Sequence, residues 1–131
     1  MPLVDKKDTL GQFIGTENWH QYSKLFPRIL LTDGALFVAQ NGGENGAFWL
    51  MDAIASHQPK ALKNPSLRDF QLWELKVSND KFAVLTCRPD SNEKAVITQR
   101  ISYTDFDLPS IKFYCEPMGE GRWCILFPSE H

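Results

Sequence analysis

The spacing of hydrophobic residues along the chain changes near Pro65. Before this proline, the apolar residues recur at helical spacing and are bracketed by residues that start and end helices. Thr32 and Asp33 are good N-terminal caps for a helix that carries Leu36, Phe37 and Ala39. The following Asn-Gly-Gly sequence at residues 41–43 is typical of a helix end.

A second helix is predicted from Asn45 to about Gln58, ending at Pro59. Residues 47–55 are apolar except for Asp52. Since a helix that is apolar on every side is normally buried, we expect Asp52 to be buried. A buried carboxylate needs a partner or a shifted pKa. Asp52 is therefore interpreted either as a structural partner of an arginine or a tyrosine hydroxyl, or as a general acid or base.

The N-terminal segment predicts two shorter elements. Asp8 and Thr9 are suitable caps for a short helix, and Thr16 is a suitable cap for a turn that holds Trp19, His20 and Tyr22. We expect both elements to belong to a helical half of the chain, at about residues 5–60.

After Asp69, hydrophobic and polar residues alternate with the period of β-strands. Five strands joined by short turns are predicted, near residues 73–77, 82–87, 95–103, 111–115 and 123–127. Consecutive strands with short turns form an antiparallel meander, which usually keeps one face covered. The predicted fold is α+β: a single domain over residues 1–131, with N-terminal helices packed on one face of a C-terminal five-stranded antiparallel meander sheet at about residues 68–128.

Composition and charge narrow the classes of function. The chain has 131 residues and a formal net charge of −2, which argues against nucleic-acid binding by bulk electrostatics. No apolar stretch is as long as a membrane span, and the first residues lack the apolar core of a signal peptide, so we expect a cytoplasmic protein. The three cysteines have no metal-ligand spacing and are interpreted as small buried hydrophobic residues, with no metal or cofactor expected.

The candidate catalytic residues are Asp52, Asp33, Asp105 and His20. A hydrolase or a nucleotide-processing enzyme would need these groups to meet in one cleft. No nucleophile, phosphate-loop or zinc motif accompanies them, and this favours a protein without catalysis. The Gly-rich residues 41–46 precede a helix and are interpreted as a tight turn rather than an anion site.

Aromatic and charged residues suggest binding surfaces. The candidate binding residues are Trp19, Trp49, Tyr103 and Asp105. The open sheet face and its edges are further candidates, either for a partner strand or for a second copy of the chain.

Nucleic-acid binding needs a set of basic residues on one face of the sheet. Arg88, Arg100, Lys112 and Arg122 lie on different predicted strands and would have to share that face.

Several stretches together resemble an uncharacterised family of small bacterial proteins, common in cyanobacteria and often found on plasmids or other mobile elements. The stretches are residues 15–20, 31–34, 48–56, 103–106 and 127–130. This resemblance implies a cytosolic accessory role and supplies no catalytic residue.

The leading hypothesis is a small cytosolic accessory protein that binds another protein, as mobile-element inhibitors of nucleic-acid defence systems do. The acidic balance suits docking on a basic, nucleic-acid-binding surface of a partner complex. The alternatives are a hydrolase or nucleotide-processing enzyme that uses the Asp and His residues, and a nucleic-acid-binding protein.

Overall fold

A computed structural model describes residues 18–131, in which a seven-stranded sheet is the main element. The strands are β1 (Trp19–Gln21), β2 (Ile29–Thr32), β3 (Gln71–Val77), β4 (Ala83–Arg88), β5 (Ile97–Ile101), β6 (Ser110–Gly119) and β7 (Arg122–Leu126). The predicted short helix after Asp8 and Thr9 lies outside the described residues.

The helices lie between β2 and β3 in the chain. They are α1 (Asp33–Asn41), α2 (Phe48–Ser56) and the single turn α3 (Gln58–Ala61), and two 3₁₀ turns follow at Pro65–Leu67 and Pro128–Glu130. The prediction for α1 is confirmed: the Thr32 side chain accepts a hydrogen bond from the backbone N–H of Ala35, and the helix ends at Asn41. Pro59 does not end the helical region, because it occupies the first turn of α3, where its missing N–H has no helical partner to lose.

The prediction of a five-stranded antiparallel meander is wrong. The sheet is mixed, with the order β1-β2-β7-β6-β3-β4-β5, and β2 pairs in parallel with β7. Strand β5 lies at one edge of the sheet, and the next strand in the chain, β6, does not pair with it. Instead, β6 pairs with β3, on the side of β3 away from β4. The five predicted C-terminal segments do form strands, but two more strands come from the half predicted to be helical.

Strand β2 explains why the sheet extends into the N-terminal half. Ile29, Leu30 and Leu31 are buried although they alternate between the two faces. A short continuous apolar run of this kind is typical of a strand buried on both faces, as in parallel pairing. Strand β1 then pairs antiparallel with β2, so the region of Trp19 and His20 forms an edge strand and not the predicted turn.

The helices cover one face of the sheet, which we call the helix side. The core packs helix residues such as Leu50, Met51 and Ile54 with sheet residues such as Trp73 and Phe113. The opposite face is called the outer face. Cys124 and Leu126 on β7 and Leu72 at the start of β3 are buried there, whereas the side chains further along β3 and on β4, β5 and the first half of β6 are partly or fully exposed.

Helix α2 is amphipathic and not apolar on every side, so the expectation of a buried Asp52 is wrong. Leu50, Met51, Ile54 and Ala55 are buried, but Asp52 is exposed. Asp52 is the one polar residue in this apolar run, and it occupies the exposed stripe of the helix. Among residues 18–131, no helix has the length and apolar character needed to span a membrane.

Candidate binding site

Asp33 and Asp52, two of the candidate catalytic residues, make separate contacts beside strand β1. His20 Nε2 lies 2.8 Å from Asp33 Oδ1, and Tyr22 donates a hydrogen bond of 3.1 Å from its hydroxyl to Asp52 Oδ1. His20 and Tyr22 are two residues apart, so they point to the same side of the chain. The tyrosine-hydroxyl interpretation of Asp52 is therefore the one that the structure shows. Partial burial and the Asp52 carboxylate raise the pKa of Tyr22 well above its ordinary value.

Asp105 lies in a different place and has a structural contact. Its Oδ2 accepts a hydrogen bond of 2.9 Å from the backbone N–H of Glu44, in the turn between α1 and α2. Gly43 has φ +90°, and a Cβ at that position would overlap the Asp105 carboxylate. The Gly-rich segment is therefore a tight turn, as predicted, and an internal carboxylate fills the place where an external anion would bind. The structure brings His20 and Asp33 together but does not bring Asp105 to them.

The aromatic candidates do not form one surface. Trp19 is 50% exposed on β1, and Tyr103 is 70% exposed after β5. Trp49 is partly buried and packs against the core. The basic candidates Arg88, Arg100 and Lys112 do lie on the outer face of the sheet. Arg122 is exposed and lies 3.5 Å from Glu120 in an ion pair.

The remaining histidines have structural partners. His57 Nε2 lies 2.7 Å from Gln99 Oε1, and its ring stacks on Trp73. His131 Nε2 lies 2.9 Å from a Glu116 carboxylate oxygen. Within residues 18–131, no group of three His, Cys, Asp or Glu side chains is arranged to hold a metal ion.

A buried amide network escaped the sequence analysis. Gln58 and Gln71 exchange two hydrogen bonds of 2.9 Å, and the Trp73 indole N–H donates to Gln71 Oε1 at 2.8 Å. Each amide nitrogen also donates to a backbone carbonyl, that of Ile54 or that of Leu67. Every strong donor of the two amides is thus satisfied inside the core, which indicates a structural role.

The cysteines are free and buried, as predicted. Burial raises the pKa of Cys87 and of Cys124 to about 12, and it raises the pKa of Cys115 well above the ordinary value. Because the thiolate is the reactive form, none of these side chains is suited to act as a nucleophile.

A thiol titration tests this description of the cysteines. At about pH 8 we expect no reaction of the folded protein with a disulfide reagent such as DTNB, and reaction of all three thiols in guanidinium chloride. For Cys87 and Cys124, the pKa rises from 9.0 to about 12 on folding, so their stabilising contribution is complete below pH 9 and is lost between pH 9 and 12. Rapid labelling of the folded protein would contradict the burial.

An apolar groove of about 410 Å³ lies on the helix side. It lies between the loop that joins β1 to β2, the end of α2 with α3, and the β6–β7 turn. Its lining residues are Leu25, Phe26, Pro27, Arg28, Ile29, Ala55, Gln58, Pro59, Leu62, Gly121 and Trp123. A wider depression of about 760 Å³ lies over the β4–β5 loop, but its walls are mostly exposed polar and charged side chains, including Asp90, Glu93 and Lys94.

Two groove residues have unusual surroundings. Leu25 is 84% exposed, the largest value among the large hydrophobic residues that the structure describes. The Arg28 guanidinium lies against the β6–β7 turn, where its Nη1 would be 2.8 Å from a Cβ on Gly121. Gly121 has φ +76°, so a residue without a side chain both permits the turn and leaves room for Arg28. Within residues 18–131, Arg28 makes no ion pair.

Two of the segments that carried the family resemblance, residues 31–34 and 127–130, contact one another in the fold. Glu130 Oε1 accepts hydrogen bonds from the Thr32 hydroxyl at 2.7 Å and from the backbone N–H of Phe127 at 3.0 Å. Its Oε2 accepts a hydrogen bond of 3.1 Å from the backbone N–H of Gly34. These two segments therefore form a structural junction, and neither of them lines the groove.

Comparison with known proteins agrees with an uncharacterised family. No curated protein and no solved structure shows significant similarity to the chain. A family model described as "Family of unknown function (DUF6876)" matches residues 5–131, which is nearly the whole sequence. The chain therefore belongs to this family of unknown function, DUF6876.

Proposed function

We propose that the protein is a non-catalytic module that binds another protein through the apolar groove. The observation that carries this proposal is the exposed Leu25 on a groove whose other walls are mainly apolar. Covering a leucine side chain is worth roughly 1.5–3 kcal/mol, and this gain is still available to a partner. The volume of about 410 Å³ falls within the usual range for binding pockets and fits a few side chains of a partner segment.

Arg28 specifies the chemistry of the occupant. A guanidinium without an ionic partner at the rim of an apolar groove complements a carboxylate. The partner segment is therefore one that places an apolar side chain in the groove and an Asp, Glu or terminal carboxylate beside Arg28. The absence of a Cβ on Gly121 leaves room for the guanidinium beside the β6–β7 turn, which also borders the groove.

The enzyme hypothesis has less support than protein binding. Its four residues are divided between three separate contacts: His20 with Asp33, Asp52 with Tyr22, and Asp105 with the backbone of the turn before α2. The structural interpretation explains all of these contacts without a reaction. An inhibitory action on a nucleic-acid defence system and a cytoplasmic location are narrower hypotheses, and both stay predictions.

Selection from a random peptide display library tests the groove. We expect the enriched peptides to combine large apolar residues with a nearby carboxylate and to bind the purified protein in solution. Leu25→Asp should weaken binding at least tenfold, because it places a charge in the apolar wall. Arg28→Gln should weaken binding about tenfold, the size expected for one charge-assisted hydrogen bond. Both effects can be measured by fluorescence anisotropy with a labelled peptide.

Val96→Asp is the matched control, since Val96 is an exposed apolar residue outside the groove. We expect it to leave peptide binding unchanged. If the enriched peptides still bind Leu25→Asp at full strength, the peptide-binding site does not lie in the groove. No enrichment over an unrelated folded protein would reject the peptide-binding function.

A further inference from the structure

Four basic residues from four neighbouring strands share the outer face of the sheet. Val84 on β4 faces Lys76 on β3 and Arg100 on β5 across the strand pairs. On the same side of β3, Leu72 faces Arg88 and Glu74 faces Lys112. Successive side chains of a strand alternate between faces, so Lys76, Arg88, Arg100 and Lys112 all project outward. We call these four residues the basic face.

The basic face contrasts with the composition of the chain. The whole sequence has 14 Lys and Arg against 16 Asp and Glu. On the outward positions of β3 to β6, the four cations are accompanied by two carboxylates, those of Glu74 and Glu116. Glu116 is already in contact with His131. None of the four cations forms an ion pair within the described residues, although Glu74 is opposite Lys112.

The surface between the cations is accessible and carries short side chains. Thr98 and Ser110 are exposed short side chains, and Thr86 is partly exposed. Neighbouring strands are separated by about 4.8 Å, so the cations extend roughly 14 Å across the sheet from β6 to β5. The Arg88 guanidinium lies close to the sheet, because it donates a hydrogen bond of 3.3 Å to the Thr86 hydroxyl.

An aromatic side chain lies at one end of this surface. Phe82 directly precedes β4 and is 47% exposed. Its alternation with the buried Ala83 places it on the same side as Val84, between the ends of β3 and β5. Cations on one face of a sheet with an exposed aromatic ring are the combination that binds phosphates and stacks on unpaired bases.

We infer that the basic face binds the phosphate backbone of a single-stranded nucleic acid, with Phe82 stacking on a base. This inference is independent of the proposed protein-binding function, because the groove lies on the helix side and uses other residues. The net charge of −2 describes the chain as a whole. Binding depends on the local arrangement of cations, and here they are collected on one face.

Titration of a fluorescein-labelled oligothymidylate at several salt concentrations tests the inference. With four phosphate contacts, we expect the logarithm of the association constant to fall against the logarithm of salt concentration with a slope of about −3. Arg100→Gln and Lys112→Gln should each reduce the steepness of this slope by about 0.7 and weaken binding severalfold. Phe82→Leu should weaken binding about fivefold or more with the slope unchanged.

Lys63→Gln is the matched control, because Lys63 is an exposed cation in the loop after α3, away from the basic face. It should change both the affinity and the slope less than the basic-face variants do. Leu25→Asp should also leave oligothymidylate binding unchanged, and this separates the inference from the groove function. Unchanged thermal melting curves of all variants exclude loss of folding as the cause.

Three outcomes would overturn the inference. The first is no measurable binding of oligothymidylate at low salt. The second is an equal effect of Lys63→Gln and Lys112→Gln, which would indicate attraction by total charge and not by the basic face. The third is tighter binding of a duplex of the same length than of the single strand, which would remove the stacking role given to Phe82.

Discussion

Gln71→Ala is expected to lower the free energy of unfolding by about 4 kcal/mol, because it leaves buried polar groups without partners. Gln71 is fully buried, and its amide joins Gln58, the Trp73 indole and the Leu67 carbonyl. After truncation, both the Trp73 N–H and the Gln58 amide lose a partner that water cannot easily replace, and a cavity remains. Equilibrium unfolding in guanidinium chloride, followed by tryptophan fluorescence, measures the loss.

Two further variants distinguish the network from simple loss of volume. Gln40→Ala is the control, since Gln40 is an exposed glutamine on α1 and its replacement should change the stability by no more than about 0.5 kcal/mol. The double replacement Gln58→Met with Gln71→Met should cost less than the sum of its two single changes, because neither amide is then left alone. Strict additivity of the two changes would show that the amides do not depend on each other.

Local signals were sufficient for elements whose limits depend on neighbouring residues. Helix α1 has a capping threonine at Thr32 and an Asn-Gly end, strands β3, β5 and β6 have clear alternation, and β4 and β7 are short apolar runs between turns. Such features act within a few residues, so one sequence is enough to identify them.

Sheet order could not be predicted in the same way, because it depends on contacts between distant segments. The pairing of Leu30 with Cys124 joins residues that are 94 positions apart. The run Ile29 to Leu31 is only three residues long, and periodicity does not separate a buried strand from a helical segment at that length. Its parallel position beside β7 therefore appeared only in the structure.

The candidate sites show the same division. Strand pairing places Arg88, Arg100 and Lys112 on one face, whereas Arg122, the fourth residue of the nucleic-acid hypothesis, forms an ion pair with Glu120. The groove was not predicted, because its lining comes from three separate regions of the chain, around residues 25–29, 55–62 and 121–123. An exposed leucine such as Leu25 has no signature in the sequence that distinguishes it from a core residue.

Glu130→Ala is expected to lower the free energy of unfolding by about 3 kcal/mol and to loosen the start of α1. The Glu130 carboxylate accepts hydrogen bonds from Thr32, Gly34 and Phe127, and two of these donors belong to the N-terminal end of α1. A negative charge there is favoured by the helix dipole. Water molecules in place of the two carboxylate oxygens would not hold the three donors in the same fixed geometry. Thermal melting followed by circular dichroism measures the change.

Conservative variants show whether the carboxylate itself is required. Glu130→Gln replaces one accepting oxygen by a donor that faces another donor, so we expect an intermediate loss of about 1–2 kcal/mol. Glu93→Ala removes an exposed carboxylate in the β4–β5 loop and should have little effect. A Cβ on Gly34 would lie 2.6 Å from Glu130 Oε1, so Gly34→Ala should disturb the same junction.

Because Gly34→Ala and Glu130→Ala act on the same contact, their combined effect should be smaller than the sum of the separate effects. The expected result is not full recovery, since the Cβ would also lie 2.6 Å from the Phe127 ring. Equal stability of Glu130→Ala and the unmodified protein would contradict the junction. It would also remove the structural explanation for the sequence segments at residues 31–34 and 127–130, which would then need a role at the surface.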